Sequence, residues 1–156
     1  MTAKTNIRIQ QADFDIGQEI AALTNGRTDI GAVVSFSGIC RGNENGENIA
    51  ALTLEHYPGM AEAEIARHVE SAMSRWPLSG VSVIHRVGRI HPGENIVLVL
   101  TASQHRQAAF QAAEFLMDYL KANAPFWKRE ESAAGTAWVD ARSHDDAAVT
   151  RWTKSR

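Results

Sequence analysis

One long helix, predicted over residues 104–123, constrains the fold of this chain more than any other segment. Its sequence is rich in alanine, the residue with the highest helix propensity, and carries leucine and aromatic residues in its second half. Ser103 precedes it as the expected N-cap, and Pro125 lies just past its end. The other elements are expected to pack with this helix in a single unit.

Strand and helix periodicities alternate along the rest of the chain. A short helix capped by Asp15 is predicted to end near Asn25, and a second helix, over residues 60–76, has Pro58 in its first turn and ends at Pro77. Residues 37–46 are predicted to form a loop and residues 91–94 a turn. Strands are predicted at residues 7–9, 30–36 (buried), 49–56, 81–87 and 95–102, with a closing hairpin at 126–131 and 136–141.

Length and composition fit one globular domain. The 156 residues, 44% hydrophobic and 22% charged, can bury a core but leave little room for a second domain. Because no repeat, low-complexity tract or linker interrupts the sequence, residues 1–156 are interpreted as a single mixed α+β domain. The residues after Arg142 are expected to form a loosely held helix.

The charge balance argues against nucleic acid as a partner. Sixteen Lys and Arg residues against 18 Asp and Glu residues give a formal net charge of -2, whereas binding to polyphosphates relies on a positive excess. The N-terminal residues lack the apolar stretch of a secretory signal, and no apolar run approaches the roughly 20 residues that cross a bilayer. A soluble, cytoplasmic protein is expected.

The sequence offers no pattern for a metal or a nucleotide cofactor. The six histidines lack the spacing of a metal site, and the glycine-containing segments lack dinucleotide or phosphate-loop patterns. The single cysteine, Cys40, cannot form an intramolecular disulfide. Its thiolate would be favoured by the adjacent Arg41, but a small apolar residue at a strand end is the preferred interpretation of Cys40.

Three groups of cations are candidate anion-binding sites. Arg41 lies in a glycine-containing loop, where converging backbone amides often hold anions, although an ordinary solvated arginine has the same pattern. His105 and Arg106 are predicted in the first turn of the long helix, where the dipole disfavours cations but favours a bound phosphate. Lys121, in the last turn, complements the helix dipole without any function.

Lys128 is harder to explain as a surface residue. Alternation along its strand sends Phe126 and Lys128 to one face and Trp127 and Arg129 to the other, so that each cation has an aromatic neighbour. A lysine in an apolar setting near other cations loses some preference for its charged form. It can then act as proton donor, nucleophile or anion holder.

Several ordered motifs resemble the family of large, catalytic subunits of molybdopterin synthase, over residues 30–142. They are Phe36-Ser37-Gly38 with Arg41, Leu54-Glu55-His56-Tyr57-Pro58-Gly59-Met60, Arg75-Trp76-Pro77, Val83-Ile84-His85-Arg86-Val87-Gly88, Ser103-Gln104-His105-Arg106 and Ala124-Pro125-Phe126-Trp127-Lys128-Arg129-Glu130. The resemblance implies an α/β-hammerhead-like fold with a largely antiparallel sheet and packed helices.

The resemblance also implies a reaction and a partner. Members convert cyclic pyranopterin monophosphate into molybdopterin by adding two dithiolene sulfurs, which come from the C-terminal Gly-Gly thiocarboxylate of a small ubiquitin-like subunit. Cysteine is not required by the family at position 40, so Cys40 is not interpreted as the sulfur carrier. By resemblance, Lys121 and Lys128 are the catalytic candidates, and the substrate-binding residues are Ile39, Cys40, Arg41, His105, Arg106, Lys121, Lys128, Arg129 and Glu130.

The length of the predicted helix bears on the assembly. His105 and Lys121 are sixteen residues apart in the sequence, or about 24 Å along a continuous helix. One compact substrate cannot contact both. Either the helix breaks or the site joins His105 and Arg106 of one chain to Lys121 and Lys128 of another across a two-fold interface. The second arrangement is favoured and implies a homodimer within a heterotetramer.

The main alternative is a non-catalytic module that binds a phosphorylated metabolite or an acidic partner tail through the same cations. Two lysines together with a His-Arg pair argue against it, since simple anion binding would tolerate arginine at every position. RNA binding through Phe126, Trp127 and Arg129 ranks last, because it needs a basic groove with stacking platforms.

Overall fold

A computed structural model describes residues 2–123, 125–133, 135–139 and 143–154, which contain nine strands and four helices. In chain order these are β1 (Lys4–Gln10), α1 (Ile16–Thr24), β2 (Ala32–Ile39), β3 (Asn43–Glu44), β4 (Glu47–His56), α2 (Met60–Arg75), β5 (Leu78–Arg86), β6 (Gly88–Ile90), β7 (Asn95–Ser103), α3 (Arg106–Asn123), β8 (Phe126–Ser132), β9 (Gly135–Val139) and α4 (Ser143–Lys154).

The first sheet has the strand order β1-β5-β7-β2. Strand β1 is parallel to β5, whereas β7 is antiparallel to both of its neighbours. Val97 and Val99 of β7 pack in a cluster with α2 and α3, and Leu98 and Leu100 pack in a second cluster with α1. A strand covered on both faces needs apolar residues at consecutive positions, which explains the uninterrupted apolar run of β7.

The helices cover this sheet through the faces that the sequence periodicity predicts. Ile65 and Val69 of α2 pack with Phe115 and Leu116 of α3 over β5 and β7. On the other face, Leu23 of α1 joins the second cluster. The predicted cap of α1 is confirmed, because the Asp15 carboxylate accepts a hydrogen bond of 2.9 Å from the Gln18 amide.

A second sheet has the order β3-β4-β8-β9, and β6 also pairs with β4. Cys40, Leu52, Leu54 and Ile90 form its apolar cluster, against which Ile96 of β7 packs. This contact joins the two sheets. Because β1 and β5 form the one parallel pair among the described strands, the prediction of a mixed α+β fold with largely antiparallel pairing is confirmed.

Two of the three predicted helix starts are wrong in detail. Ser103 is the last residue of β7 and its hydroxyl donates to the Pro77 carbonyl at 2.7 Å, so it does not cap α3, which begins at Arg106. Sheet pairing here prevails over the local capping preference. Likewise, Pro58 precedes α2; Gly59, at φ 86°, is the N-cap, and the Glu62 carboxylate accepts from its amide at 2.9 Å.

The predicted strand over residues 30–36 and loop over 37–46 also need correction. Strand β2 continues to Ile39 and is half-buried to exposed, because it forms the edge of the first sheet. Within the predicted loop, Asn43–Glu44 forms a short hairpin with β4. The prediction lacked β6, a strand of three residues that lies between β5 and β7 in the sequence and pairs with β4.

The C-terminal helix is more firmly held than predicted. Trp152 is 8% exposed and belongs to the main core cluster, in edge contact with Trp76 and Phe115. The expectation of a loosely held helix is therefore wrong. In the part of the chain that the structure describes, no helix is long and apolar enough to span a membrane.

Candidate active site

A cavity of about 120 Å³ lies where the ends of β2, α3 and β8 meet. Six of the nine predicted site residues line it, together with apolar residues of both sheets. The predicted residues in the lining are Ile39, Cys40, Arg41, Lys121, Lys128 and Glu130, and the others are Phe36, Gly38, Glu44, Ile49, Leu52, Ile96 and Val97.

The two lysines reach the cavity from different elements. Lys121 lies in the last turn of α3, and Lys128 lies on β8. Alternation along β8 puts Lys128 and Glu130 on the cavity side, opposite Leu54 and Leu52 of β4 in the sheet register. The site therefore depends on the pairing of β4 with β8, which fixes Lys128 relative to the end of α3.

The end of β2 closes the cavity on another side. A Cβ at position 38 would lie 2.8 Å from Cγ1 of Val97, so only glycine lets this strand approach β7 without a shift. Gly38 is followed by Ile39, which is exposed at the cavity rim, and by the buried Cys40. The tight approach of β2 thus brings Arg41 to the same cavity as the lysines.

Charges in the cavity are paired across short distances. Arg41 Nη2 lies 2.6 Å from Oε2 of Glu44, and Lys128 Nζ lies 3.4 Å from Oε1 of Glu130. Three cations therefore face two carboxylates among these lining residues, counting Lys121. An excess of positive charge in a concave, partly apolar site favours an anionic ligand.

Cys40 has the environment of a packing residue. It is 4% exposed within the apolar cluster of the second sheet. Burial raises the pKa of its thiol, an effect that the nearby charge of Lys128 opposes. Since the thiolate is the nucleophilic form, this environment supports the interpretation of Cys40 as a small apolar residue.

His85 was quoted as part of a motif but was not predicted as a site residue. Its ring stacks on Phe126 with centroids 4.0 Å apart, and its Nδ1 lies 2.9 Å from the Arg86 carbonyl. Because a carbonyl can only accept, Nδ1 carries the proton. Burial, together with the smaller effect of the Lys121 charge, lowers the pKa of His85 to about 4. The sequence signal was a histidine that directly follows the apolar residues Val83 and Ile84 in a strand.

Three predicted residues lie outside this lining. His105 and Arg106 are exposed at the start of α3, and the fifteen-residue rise from Arg106 to Lys121 along the unbroken helix is about 22 Å. Arg129 lies on the opposite face of β8, with its guanidinium 5.5 Å from the Trp138 ring and 3.9 Å from a Glu55 oxygen. The structure thus does not bring these three cations to the lysines of the same chain.

The chemistry available in the cavity is anion binding and charge stabilisation. Among the described residues no group of three or more His, Cys, Asp or Glu side chains could hold a metal ion. Two ammonium groups and a guanidinium can each donate hydrogen bonds to carboxylate, thiocarboxylate or phosphate oxygens. The same groups stabilise an oxyanion that forms during acyl transfer.

Comparisons with known proteins agree on one family. The family model described as MoaE protein matches residues 9–123. The molybdopterin synthase catalytic subunit of Mesorhizobium japonicum is 62% identical over 151 residues, covering 96% of this chain and 94% of the relative. The same-named subunit of Escherichia coli is 49% identical over 150 residues, covering 96% and 99%.

Solved structures give the same result for the fold. The molybdopterin biosynthesis MoaE protein of Burkholderia ambifaria superimposes with a TM-score of 0.82 at 47% identity, covering 96% of this chain and 98% of the other. Molybdopterin synthase from Staphylococcus aureus superimposes with a TM-score of 0.78 at 28% identity, covering 85% and 95%. Both values indicate a shared fold over nearly the whole chain.

Proposed function

Because this chain belongs to the MoaE family of molybdopterin synthase catalytic subunits, we propose that it makes molybdopterin from cyclic pyranopterin monophosphate. It is a sulfurtransferase, and the sulfur comes from the thiocarboxylated C-terminus of a small ubiquitin-like partner. The observation that carries this proposal is the cavity in which Lys121 of α3, Lys128 of β8 and Arg41 of the segment after β2 converge. It supports a reaction between two anionic substrates.

The reaction has two steps for each sulfur. The thiocarboxylate sulfur attacks an electrophilic carbon of the pterin side chain and displaces an oxygen substituent, which leaves with the electrons of the broken carbon–oxygen bond. The new carbon–sulfur bond joins the two substrates as an acyl thioester. Water then adds to the acyl carbon and passes through an oxyanion, and the acyl–sulfur bond breaks. The sulfur stays on the pterin, the partner tail leaves as a carboxylate, and two tails are consumed for each dithiolene.

The proposed roles follow the positions of the cations. Lys121 contacts the carbonyl or thiocarboxylate of the incoming tail, and Lys128, oriented by Glu130 at 3.4 Å, helps to place the pterin. Arg41 holds the phosphate together with His105 and Arg106. Ile39 and Cys40 form part of the wall of the cavity. Arg129 stabilises β8 on the face opposite the cavity, through its contacts with Trp138 and Glu55.

The site is shared between two chains in this proposal. The separation of about 22 Å along α3 keeps Arg106 and Lys121 of one chain from contacting one compact substrate. A homodimer with one small partner at each site, a heterotetramer, would place His105 and Arg106 of one protomer at the cavity of the other. We further propose that residues 1–156 form one domain and that the protein acts in the cytoplasm.

Reconstitution tests the function and the two lysines. The protein is mixed with the thiocarboxylated small subunit and the cyclic pterin, and the dithiolene product is measured. Replacement of Lys121 or Lys128 by alanine is expected to lower turnover by about 100-fold or more, the usual cost of losing an oxyanion-stabilising donor. Lys4→Ala is the control, since Lys4 lies on β1 and donates to the Ala22 carbonyl.

Two outcomes would contradict these assignments. Full turnover by the Lys121→Ala protein would show that Lys121 does not have the role assigned to it. Absence of product from the unmodified chain, under conditions in which a known synthase is active, would instead favour a non-catalytic module that binds the same anions.

A further inference from the structure

One carboxylate of the cavity has no role in the reaction described above. Glu44 lies on β3, its side chain is only 13% exposed, and its Oε2 is 2.6 Å from Nη2 of Arg41. Both residues line the cavity that contains the lysines. The group that would hold an incoming anion is therefore already in contact with a carboxylate of its own chain.

The local fold directs Glu44 into this position. Strands β3 and β4 form a hairpin with a two-residue turn. The turn residues, Asn45 and Gly46, both have positive φ, at 52° and 84°. Asn and Gly are the residues that favour such a turn. In the register Glu44 is directly opposite Glu47, and like charges in that arrangement destabilise a strand pair. The contact with Arg41 offsets this repulsion.

We propose that Glu44 competes with the anionic ligand for Arg41 and so sets how tightly, and how selectively, an anion binds in this cavity. The inference rests on the proposed role of Arg41 as an anion holder. The ligand chemistry is an oxyanion with at least two acceptor oxygens, from either the phosphate group of the pterin or the carboxylate-type end of a partner tail. An arginine fork binds both in the same bidentate way.

Competition of this kind would select by charge. A monoanion that replaces Glu44 exchanges one carboxylate contact for another of similar strength, so it gains little. A phosphate dianion, such as the monoester that forms once the cyclic phosphate opens, makes a stronger contact with the same guanidinium and can displace Glu44. Selectivity then arises because a built-in competitor rejects weak anions.

The test compares Glu44→Gln with Glu47→Gln, which removes one negative charge from the same hairpin but from an exposed position. Calorimetry with inorganic phosphate measures anion binding without turnover, so it does not depend on the proposed reaction. Glu44→Gln is expected to bind phosphate about threefold to tenfold more tightly, and Glu47→Gln to change binding by less than about twofold.

A double variant and two kinetic arms complete the design. In an Arg41→Gln background the gain from Glu44→Gln should vanish, because the competition is for Arg41. A lower KM for the cyclic pterin would identify phosphate as the competing group, and a lower KM for the thiocarboxylated partner would identify the tail. Unchanged or weaker phosphate binding by Glu44→Gln, with an unaltered melting temperature, would overturn the proposal.

Discussion

At the scale of single residues, His85 illustrates how the fold sets the chemistry around the lysines. The ring stacks on Phe126, which lies two residues before Lys128, and its pKa is lowered by burial and by the charge of Lys121. A neutral ring beside an ammonium avoids placing two cations together in a partly apolar site. His85 is thus a residue that orders the β8 end of the cavity while adding no charge to it.

This environment predicts a pH dependence of stability. Well above pH 6.5 the His85 ring is neutral in both the folded and the unfolded chain, so it does not change the free energy of unfolding. As the pH falls from about 6.5 towards about 4, the ring is protonated in the unfolded chain but stays neutral in the folded chain, so stability decreases. Between about pH 7.5 and pH 5 the loss attributable to His85 is about 2 kcal/mol.

Urea unfolding at the two pH values checks this. The His85→Phe variant retains a ring to stack on Phe126, and it should lose about 2 kcal/mol less than the unmodified chain on acidification. His68, whose pKa is also lowered by burial, is present in both proteins and cancels in the comparison. Equal losses in the two proteins would contradict the assignment to His85.

At the scale of secondary-structure elements, the start of α3 is positioned by a close backbone contact. The Gly31 amide donates to the Ser103 carbonyl at 3.0 Å, and a Cβ at position 31 would lie 2.1 Å from the Gln104 carbonyl oxygen. This contact lies one residue before His105. Nothing in the local sequence selects Gly31, because the clash is with a residue 73 positions away.

Gly31→Ala is expected to displace the segment that leads into α3. Overpacking against backbone costs about 1–3 kcal/mol of stability. In addition, the shift of His105 and Arg106 should raise the KM for the phosphorylated substrate by more than the loss of thermal stability accounts for. Steady-state kinetics and melting curves measure the two effects. Gly17→Ala, whose Cβ would meet only the Asp15 carboxylate, at 3.3 Å, is the control and should leave KM unchanged because α1 lies outside the cavity lining.

The C-terminal helix α4 contributes to the core through one side chain. Trp152 packs against Trp76 and Phe115, and its indole donates to Asp118 on α3 at 2.6 Å. Trp152→Ala should therefore destabilise the protein by about 3–5 kcal/mol. Denaturant unfolding measures this, with Trp138→Ala as the control because Trp138 is 57% exposed. If the two substitutions cost the same, α4 is not part of the core.

At the scale of the whole molecule, the unbroken α3 separates two groups of cations that the proposed reaction needs together. The helix spans Arg106–Asn123, with Arg106 at one end and Lys121 at the other. A site shared between protomers reconciles this distance with a single small substrate. In that proposal, catalysis requires the dimer.

Mixed dimers test the shared site. If one chain carries Arg106→Ala and its partner Lys121→Ala, one of the two sites has both wild-type halves, so such a dimer should have about half the wild-type activity. A mixture of Lys121→Ala with Lys128→Ala is the matched control. Because both lysines come from the same chain at each site, that mixture should show no rescue. Lack of rescue in proven Arg106/Lys121 mixed dimers would contradict sharing.

Sequence by itself determined the local features of this protein. Side-chain periodicity reports the face of a helix or strand directly, which is why the long α3, the Asp15 cap and the alternation that separates Lys128 from Arg129 on β8 were predicted correctly. The ordered motifs also identified the family, since their spacing is a property of the chain alone. The starts of two helices were predicted wrongly. Ser103, for example, ends β7 and donates to the Pro77 carbonyl where a helix cap was predicted.

The tertiary structure decided which of these features meet. His85 stacks on Phe126 from 41 positions away, and Arg41 reaches the cavity of Lys121 because β2 can approach β7 at Gly38. The burial of Cys40 and Trp152 likewise depends on elements distant in sequence. Periodicity records only the neighbours within one element, whereas the pairing of elements follows from how all the apolar faces are buried together. That is why the candidate residues could be read from the sequence but their division between one cavity and the far end of α3 could not be settled without the fold.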